Sequence, residues 1–383
     1  MIETMKCLFF LIFLSSYSHA WSPKLIEAWD KSGRTYQAQM EAKFATFWAG
    51  VRRGVHWDQN KGKMKDLLPE GFQQSIPVYI QSSQEQRDLI VFYPGVFGRP
   101  NGRISPHVID GLEKSDVHVA VIPNLLSPTY LIAKPTPKGD PLEFEKINQQ
   151  NIFKEVIKTI NIGRIREIHV IAESLGSLQA LTTFAPPFLN DYPIASLTFL
   201  WPPLYLDRAV QRFDTIISQS LPKQAQCSYW WKWPTVLWQT KISTIPSGLN
   251  AEDKNCLGSW VIGGGFVGAI RDTAEEVIDA KSLALPKIPE TFTSFIDSIT
   301  PEMGPHMRKM DPRLSVNYQL NSYIGHESKM RFVSSIDDFL NEPAEWDTLK
   351  TFHPKIQSQI YLFSWGGHSG PVGMDGFIES IAP

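Results

Sequence analysis

Ile168-His169-Val170-Ile171-Ala172-Glu173-Ser174-Leu175-Gly176-Ser177-Leu178-Gln179-Ala180-Leu181 carries the pattern of a strand, a tight turn and a helix. The apolar run from Ile168 to Ile171 reads as a buried strand, Ser177 to Leu181 reads as helix, and only a sharp turn separates them. A serine in such a turn sits where strand and helix pass close together, so the residues two before and two after it need almost no side chain. Ala172 and Gly176 meet that demand. Alanine adds one methyl group where glycine is usual, which is tolerable if that backbone position does not need a positive φ. The plainer reading is an ordinary strand-to-helix turn with a capping serine.

Two later stretches separate these readings. Lys329-Met330-Arg331-Phe332-Val333-Ser334-Ser335-Ile336-Asp337-Asp338 reads as a short buried strand that ends in two carboxylates. Gln359-Ile360-Tyr361-Leu362-Phe363-Ser364 reads as another, running into Trp365-Gly366-Gly367-His368-Ser369-Gly370. The chain thus presents a serine, an aspartate and a histidine in that order, each just beyond an apolar run. A serine hydroxyl is a poor nucleophile at neutral pH and needs an imidazole to take its proton. A carboxylate behind that imidazole fixes its tautomer and stabilises its charged form.

On these motifs the chain resembles the α/β-hydrolase superfamily, particularly its bacterial esterase-like branch with a Gly-Gly-His-x-Gly ending. The resemblance runs from roughly Phe72 to the C-terminus and is specific at the motifs. It implies an α/β fold: a mostly parallel central sheet flanked by helices, with a lid inserted between the strands near 197–201 and 329–334. It also implies roles: Ser174 as nucleophile, His368 as general base and then acid, and a carboxylate to orient the imidazole. Ser335-Ile336-Asp337-Asp338 puts Asp338 in the place of that acid, with Asp337 as its competitor. Charge develops on the substrate oxygen in the transition state, so amide donors must face it. The resemblance assigns these to the backbone N–H groups of Leu175 and of Val96, in Pro94-Gly95-Val96-Phe97-Gly98 after the strand Asp88–Tyr93. Proline stands there where the family usually has histidine, which leaves Phe97 as the second choice for the donor; a simple Pro-Gly turn is the other reading. The mechanism so implied calls for no cofactor and no metal.

At 383 residues, 43% of them hydrophobic and 20% charged, the chain suits one large α/β domain with an insertion. Its formal net charge of −2 gives no electrostatic case for a nucleic-acid partner. The short run Lys61, Lys63, Lys65 reads as solvated surface, and Gly263-Gly264-Gly265 lacks the following lysine of a phosphate-binding loop.

The N-terminus reads as a secretory signal. Lys6 leads into the apolar core Cys7–Leu14, and Ser18-His19-Ala20 offers a small-x-small cleavage site after Ala20. The core is too short to span a bilayer. Export, periplasmic or extracellular in a bacterium, leaves Cys227 and Cys256 in a compartment that permits disulfides, and a bridge and two thiols both stay open. Lys24–Val55 reads as helix, and its aromatic face suits either packing or contact with a membrane surface.

The domain organisation expected is a signal over 1–20, a helical extension over 21–71, a core from 72–202 and 327–383, and a lid over 203–326. Within the core, Ile76–Ile80, Asp88–Tyr93, Val117–Ile122 and Leu197–Trp201 read as strands, Pro123–Pro141 as a loop and Glu143–Ile160 as helix. His118 and His169 fall in strands and read as core histidines. The lid carries Trp230, Trp231, Trp233, Trp238 and Trp260, which would either line an apolar cavity for an acyl chain or hold the lid together. The function expected is an exported serine hydrolase that takes a small-molecule or lipid ester through an acyl-enzyme. The alternatives are a serine peptidase of the same fold, separated by comparing ester with amide turnover, and a non-catalytic relative that only binds. Oligomeric state is not encoded in any feature of the sequence.

Overall fold

The computed structural model describes residues 63–80, 85–96, 98, 117–224, 267–282, 291–308, 311–335, 338, 340–363 and 368. The signal segment, the helix read over Lys24–Val55, Cys227, Cys256, the lid tryptophans, Gly263-Gly264-Gly265, Phe97 and Asp337 lie outside the described residues.

Eight strands form one sheet. They are β1 (Lys63–Leu67), β2 (Ile76–Ile80), β3 (Arg87–Tyr93), β4 (His118–Val121), β5 (Ile165–Glu173), β6 (Ile194–Leu200), β7 (Met330–Ser335) and β8 (Ile360–Phe363). Their order across the sheet is β1-β2-β4-β3-β5-β6-β7-β8. β2 pairs antiparallel with β1 and with β4, and every other pairing is parallel. Parallel strands connected through helices are covered on both faces, which is why they read as unbroken apolar runs. From Leu89 to Tyr93 β3 is buried at every residue, as β5 is from Ile168 to Glu173.

The helices between strands follow from local signals. In α1 (Pro128–Ala133) the Ser127 hydroxyl caps the first turn and Pro128 begins the helix; α2 (Pro141–Ile160) starts likewise with Asp140 and Pro141. α3 (Leu175–Thr183) follows β5 directly. Phe153 of α2 makes edge-to-face contacts with Phe184 and Tyr192, at centroid distances of 4.9 and 5.0 Å, and so seats α2 against the end of α3. Such pairs contribute about 0.5–1.5 kcal/mol each beyond the area they bury.

Between β6 and β7 the described helices are α4 (Leu206–Gln224), α5 (Val267–Lys281), α6 (Phe292–Ile299), then the short α7 (Gly304–Arg308) and α8 (Val316–Gln319). Phe213 of α4 meets Phe292 of α6 edge-on at 5.4 Å, and α5 packs against α1 of the core. Lys134, just after α1, is buried and pairs with Glu145 of α2 at 2.6 Å and with Glu302 at 3.2 Å. The helix α9 (Pro343–Phe352) then lies between β7 and β8.

Two expectations are corrected. The segment over 21–71 is not helical throughout, because the sheet already begins at Lys63. β1 is an edge strand whose first four side chains face solvent and only Leu67 is buried, so it lacks the alternation that marks a half-buried strand. The span Pro123–Pro141 is not a continuous loop, since Ser127-Pro128 starts α1 rather than a turn.

Candidate active site

The sheet reverses its winding at β3: β4 lies on one side of it and β5 on the other. Loops leaving the carboxyl ends of β3 and β5 therefore diverge and open a crevice between them, the usual place for a site in an α/β sheet. Two of the sequence-predicted segments meet there. Pro94-Gly95-Val96 follows β3, and Ser174 follows β5.

Ser174 has φ 51° and ψ −126°, a conformation that costs a non-glycine residue about 1–3 kcal/mol. The strain is held by the surrounding backbone. Ser174 N–H donates to the Leu200 carbonyl of β6 at 2.8 Å, and the Ser177 hydroxyl donates back to the Ala172 carbonyl at 2.9 Å. A Cβ at position 176 would stand 2.5 Å from the Tyr93 carbonyl oxygen and 2.6 Å from that of Pro94, so only glycine lets α3 leave the sheet at this angle. Ala172 is fully buried, and its φ is not positive, which accounts for the tolerance of alanine there. The serine therefore starts a helix without capping it: no side-chain capping bond forms.

This serine turn, on this strand order, defines the fold. It is the α/β-hydrolase fold.

The α/β-hydrolase scaffold brings three distant side chains into one line. Ser174 Oγ lies 2.9 Å from His368 Nε2, and His368 Nδ1 lies 3.0 Å from Asp338 Oδ1. A carboxylate only accepts, so Nδ1 carries the hydrogen toward Asp338 and the Nε2 lone pair faces the serine hydroxyl. Ser174 and His368 each keep 8% of their surface exposed and Asp338 keeps 3%, which leaves the serine and imidazole at the crevice and the acid behind them.

Asp338 is itself held at both oxygens. Oδ1 also accepts from Leu340 N–H at 3.0 Å, and Oδ2 accepts from the Asn341 amide at 2.9 Å and from the Ser334 hydroxyl at 3.3 Å. Leu175 is the first residue of α3, where helix N–H groups have no intrahelical partner. Gly95 packs on the serine: a Cβ there would stand 3.1 Å from Ser174 Cβ. Val96 comes next, half-buried, in a turn closed by Gly98 N–H donating to the Gly95 carbonyl at 2.9 Å.

The sequence reading missed the polar groups that fix these loops. The buried Asn124 donates to the Pro94 carbonyl at 3.1 Å and accepts from Leu126 N–H at 2.8 Å, so it pins the loop that carries Val96. Nothing in its sequence neighbourhood marks that role. Asn341 is a second such residue, and Gln179, bonded to Gln149 and Leu125 beside α3, is a third.

Among the described residues, one group places three metal-ligating side chains together: Asp88, Glu167 and His169 have donor atoms within 4.8 Å of one another. It lies at the opposite end of β5 from Ser174, and both Asp88 oxygens are already held by Arg166 at 2.8 and 2.6 Å. The His169 ring bonds Ser196 Oγ at 2.8 Å, and burial pushes its pKa down. His169 thus lies buried in the sheet with Nδ1 bonded to Ser196, and His118 of β4 is buried likewise.

No family model matches the chain, and no curated protein matches it in sequence. Solved structures do resemble it. The carboxylesterase CesB of Bacillus subtilis superposes with a TM-score of 0.47 at 9% identity, covering 88% of this chain and 95% of that one. A bacterial membrane phospholipase A gives 0.44 at 13%, over 97% and 94%. The Pyrococcus furiosus esterase Pf2001 gives 0.42 at 12%, over 83% and 88%.

Proposed function

We propose that this protein is a serine hydrolase that cleaves carboxylic esters through an acyl-enzyme. The observation that carries the reading is the unbroken hydrogen-bonded line from Ser174 Oγ through His368 to Asp338, assembled on a strained serine turn. Strain of this kind persists only where the surrounding structure enforces it, and it clusters at reacting groups.

As Ser174 Oγ attacks the ester carbonyl, His368 Nε2 takes its proton, and Asp338 stabilises the imidazolium that forms. The carbonyl oxygen becomes an oxyanion, received by the amides of Leu175 and Val96. Collapse of the tetrahedral intermediate expels the alcohol, which takes the proton back from His368. Water then attacks the acyl-enzyme by the same route in reverse, with His368 first as base and then as acid. The helices between β6 and β7 form the wall over the acyl group in this reading, and a small-molecule or lipid ester is the substrate class.

The segment ending at Ala20 supports export, with the mature chain starting at Trp21. The aromatic helix read over Lys24–Val55 supports contact with a membrane surface on the substrate's side.

The test is turnover of a p-nitrophenyl ester by the purified protein and by Ser174→Ala. The reading requires hydrolysis by the parent chain and its loss in the variant. Equal rates in the two would overturn it, and faster cleavage of an aminoacyl amide than of the ester would reassign the same machinery to peptides.

A further inference from the structure

We infer that Asn341 is the positioning residue of the reactive line: it holds Asp338 in the rotamer that faces His368 and ties that carboxylate to the first residues after β6. The inference rests on the serine-hydrolase reading above and assigns a part that the serine, histidine and aspartate do not supply.

The side-chain amide of Asn341 is buried, with both of its hydrogens donated and its oxygen accepting one bond. Its Oδ1 accepts from Leu204 N–H at 2.8 Å, and its Nδ2 donates to the Pro202 carbonyl and to Asp338 Oδ2, both at 2.9 Å. These partners fix which way the amide points. A backbone N–H can only donate and a backbone carbonyl can only accept, so the oxygen must face Leu204 and the nitrogen must face Pro202 and Asp338. A flipped amide would break all three bonds, setting its NH2 against the Leu204 N–H and its oxygen against the Pro202 carbonyl and the acid.

Chain geometry gives this bond its purpose. β7 ends at Ser335 and Asp338 follows in the connection to α9, where no regular pairing holds it. Among the described residues four hydrogen bonds reach its oxygens, and those of Leu340, Ser334 and His368 come from its own turn, the preceding strand and the group it must orient. Of these four, the bond from Asn341 joins it to the β6 side, through Pro202 and Leu204. The same turn is braced from outside. Arg212 of α4 donates to the Leu340 carbonyl at 2.7 Å and pairs with Glu345 of α9 and with Glu342, which caps that helix, while Arg208 of α4 also bonds Glu345. Among the described residues, the groups bonded to the Asp338 carboxylate are His368, Ser334, Leu340 N–H and Asn341.

Replacing the amide by Asn341→Ala removes the donor and frees the carboxylate to turn. A less well placed carboxylate stabilises imidazolium less, so the acid limb of the kcat/KM profile, set by His368, moves to lower pH. Asn341→Asp keeps the shape but places a second carboxylate beside the first. The added negative charge favours a protonated imidazole, so the same limb moves to higher pH.

The experiment measures p-nitrophenyl butyrate hydrolysis against pH for the full chain and for Ser174→Ala, Asn341→Ala and Asn341→Asp, with thermal melts of each. The inference predicts no turnover in Ser174→Ala, and kcat down roughly tenfold to a hundredfold with KM within about twofold in Asn341→Ala, short of the roughly 10⁴-fold loss expected when the acid itself is replaced. It predicts acid limbs displaced in opposite directions in the two Asn341 variants. If Asn341→Ala does not fold, the upward displacement in Asn341→Asp carries the test. Unchanged kcat and pH limbs, or a fall in kcat with both limbs unmoved, would overturn the inference while leaving the serine-hydrolase reading intact. Turnover retained in Ser174→Ala would overturn that reading and this inference with it.

Discussion

Gly176 shows how much of the chemistry depends on an absent atom. Its missing Cβ lets the Tyr93 and Pro94 carbonyls approach the start of α3, and that approach sets the Ser174 backbone. In Gly176→Ala the clash is with backbone rather than with a flexible side chain, so the helix start must shift. A loss of about 1–3 kcal/mol in denaturant unfolding is expected, and kcat should fall further than stability alone explains. Asp338→Asn makes a complementary test. It preserves shape but presents a donor or a neutral acceptor to His368 Nδ1, and kcat should drop about 10⁴-fold with the melting temperature close to that of the parent. A parent-like kcat would remove Asp338 from the reactive line.

At the scale of elements, what holds the turns that carry Ser174 and Asp338 is a set of cross-connections. Glu345 of α9 is buried and bonds Arg212 and Arg208 of α4, joining the segment after β6 to the segment after β7. Burial alone would raise its pKa, but the Arg212 and Arg208 bonds and the Arg212 charge outweigh burial, and the carboxyl is held below its ordinary value of 4.5. A depressed carboxyl pKa contributes stability that is present above the ordinary value and is lost as pH falls through the depressed one. Melting temperature should therefore decline below about pH 4.5, and Glu345→Gln should be less stable at neutral pH with a flatter acid slope. An identical acid slope in the two proteins would contradict the assignment. Legibility also divides at this scale. The serine turn could be read because steric demand leaves a local mark, Gly176 two places after Ser174 and an unbroken apolar strand before it. The edge strand β1 could not, since Lys63, Met64, Lys65 and Asp66 all face solvent and leave no period to detect. Ser127-Pro128 was legible as a helix start, yet the prolines around it suggest a loop unless the capping serine is given more weight. Asn341 and Asn124 left no mark at all, because each acts on backbone more than twenty residues away that only the folded sheet brings near.

For the whole molecule, the sheet order places the loops after β3, β5, β7 and β8 at one end, which is why residues as distant in sequence as Ser174 and His368 can touch. Among the described residues no helix is long and apolar enough to cross a membrane. The export proposal predicts that the mature protein, recovered from a secreting host, begins at Trp21; a chain beginning at Met1 or Met5 would refute it. If His368 activates Ser174, a fluorophosphonate should label that serine. The protein should be treated with a fluorophosphonate, digested and mapped by mass spectrometry, alongside His368→Ala. The expected result is a single adduct on the peptide carrying Ser174, formed rapidly in the parent chain and lost or greatly slowed in the variant. An adduct elsewhere, or equal labelling of Ser174 with and without the imidazole, would contradict it.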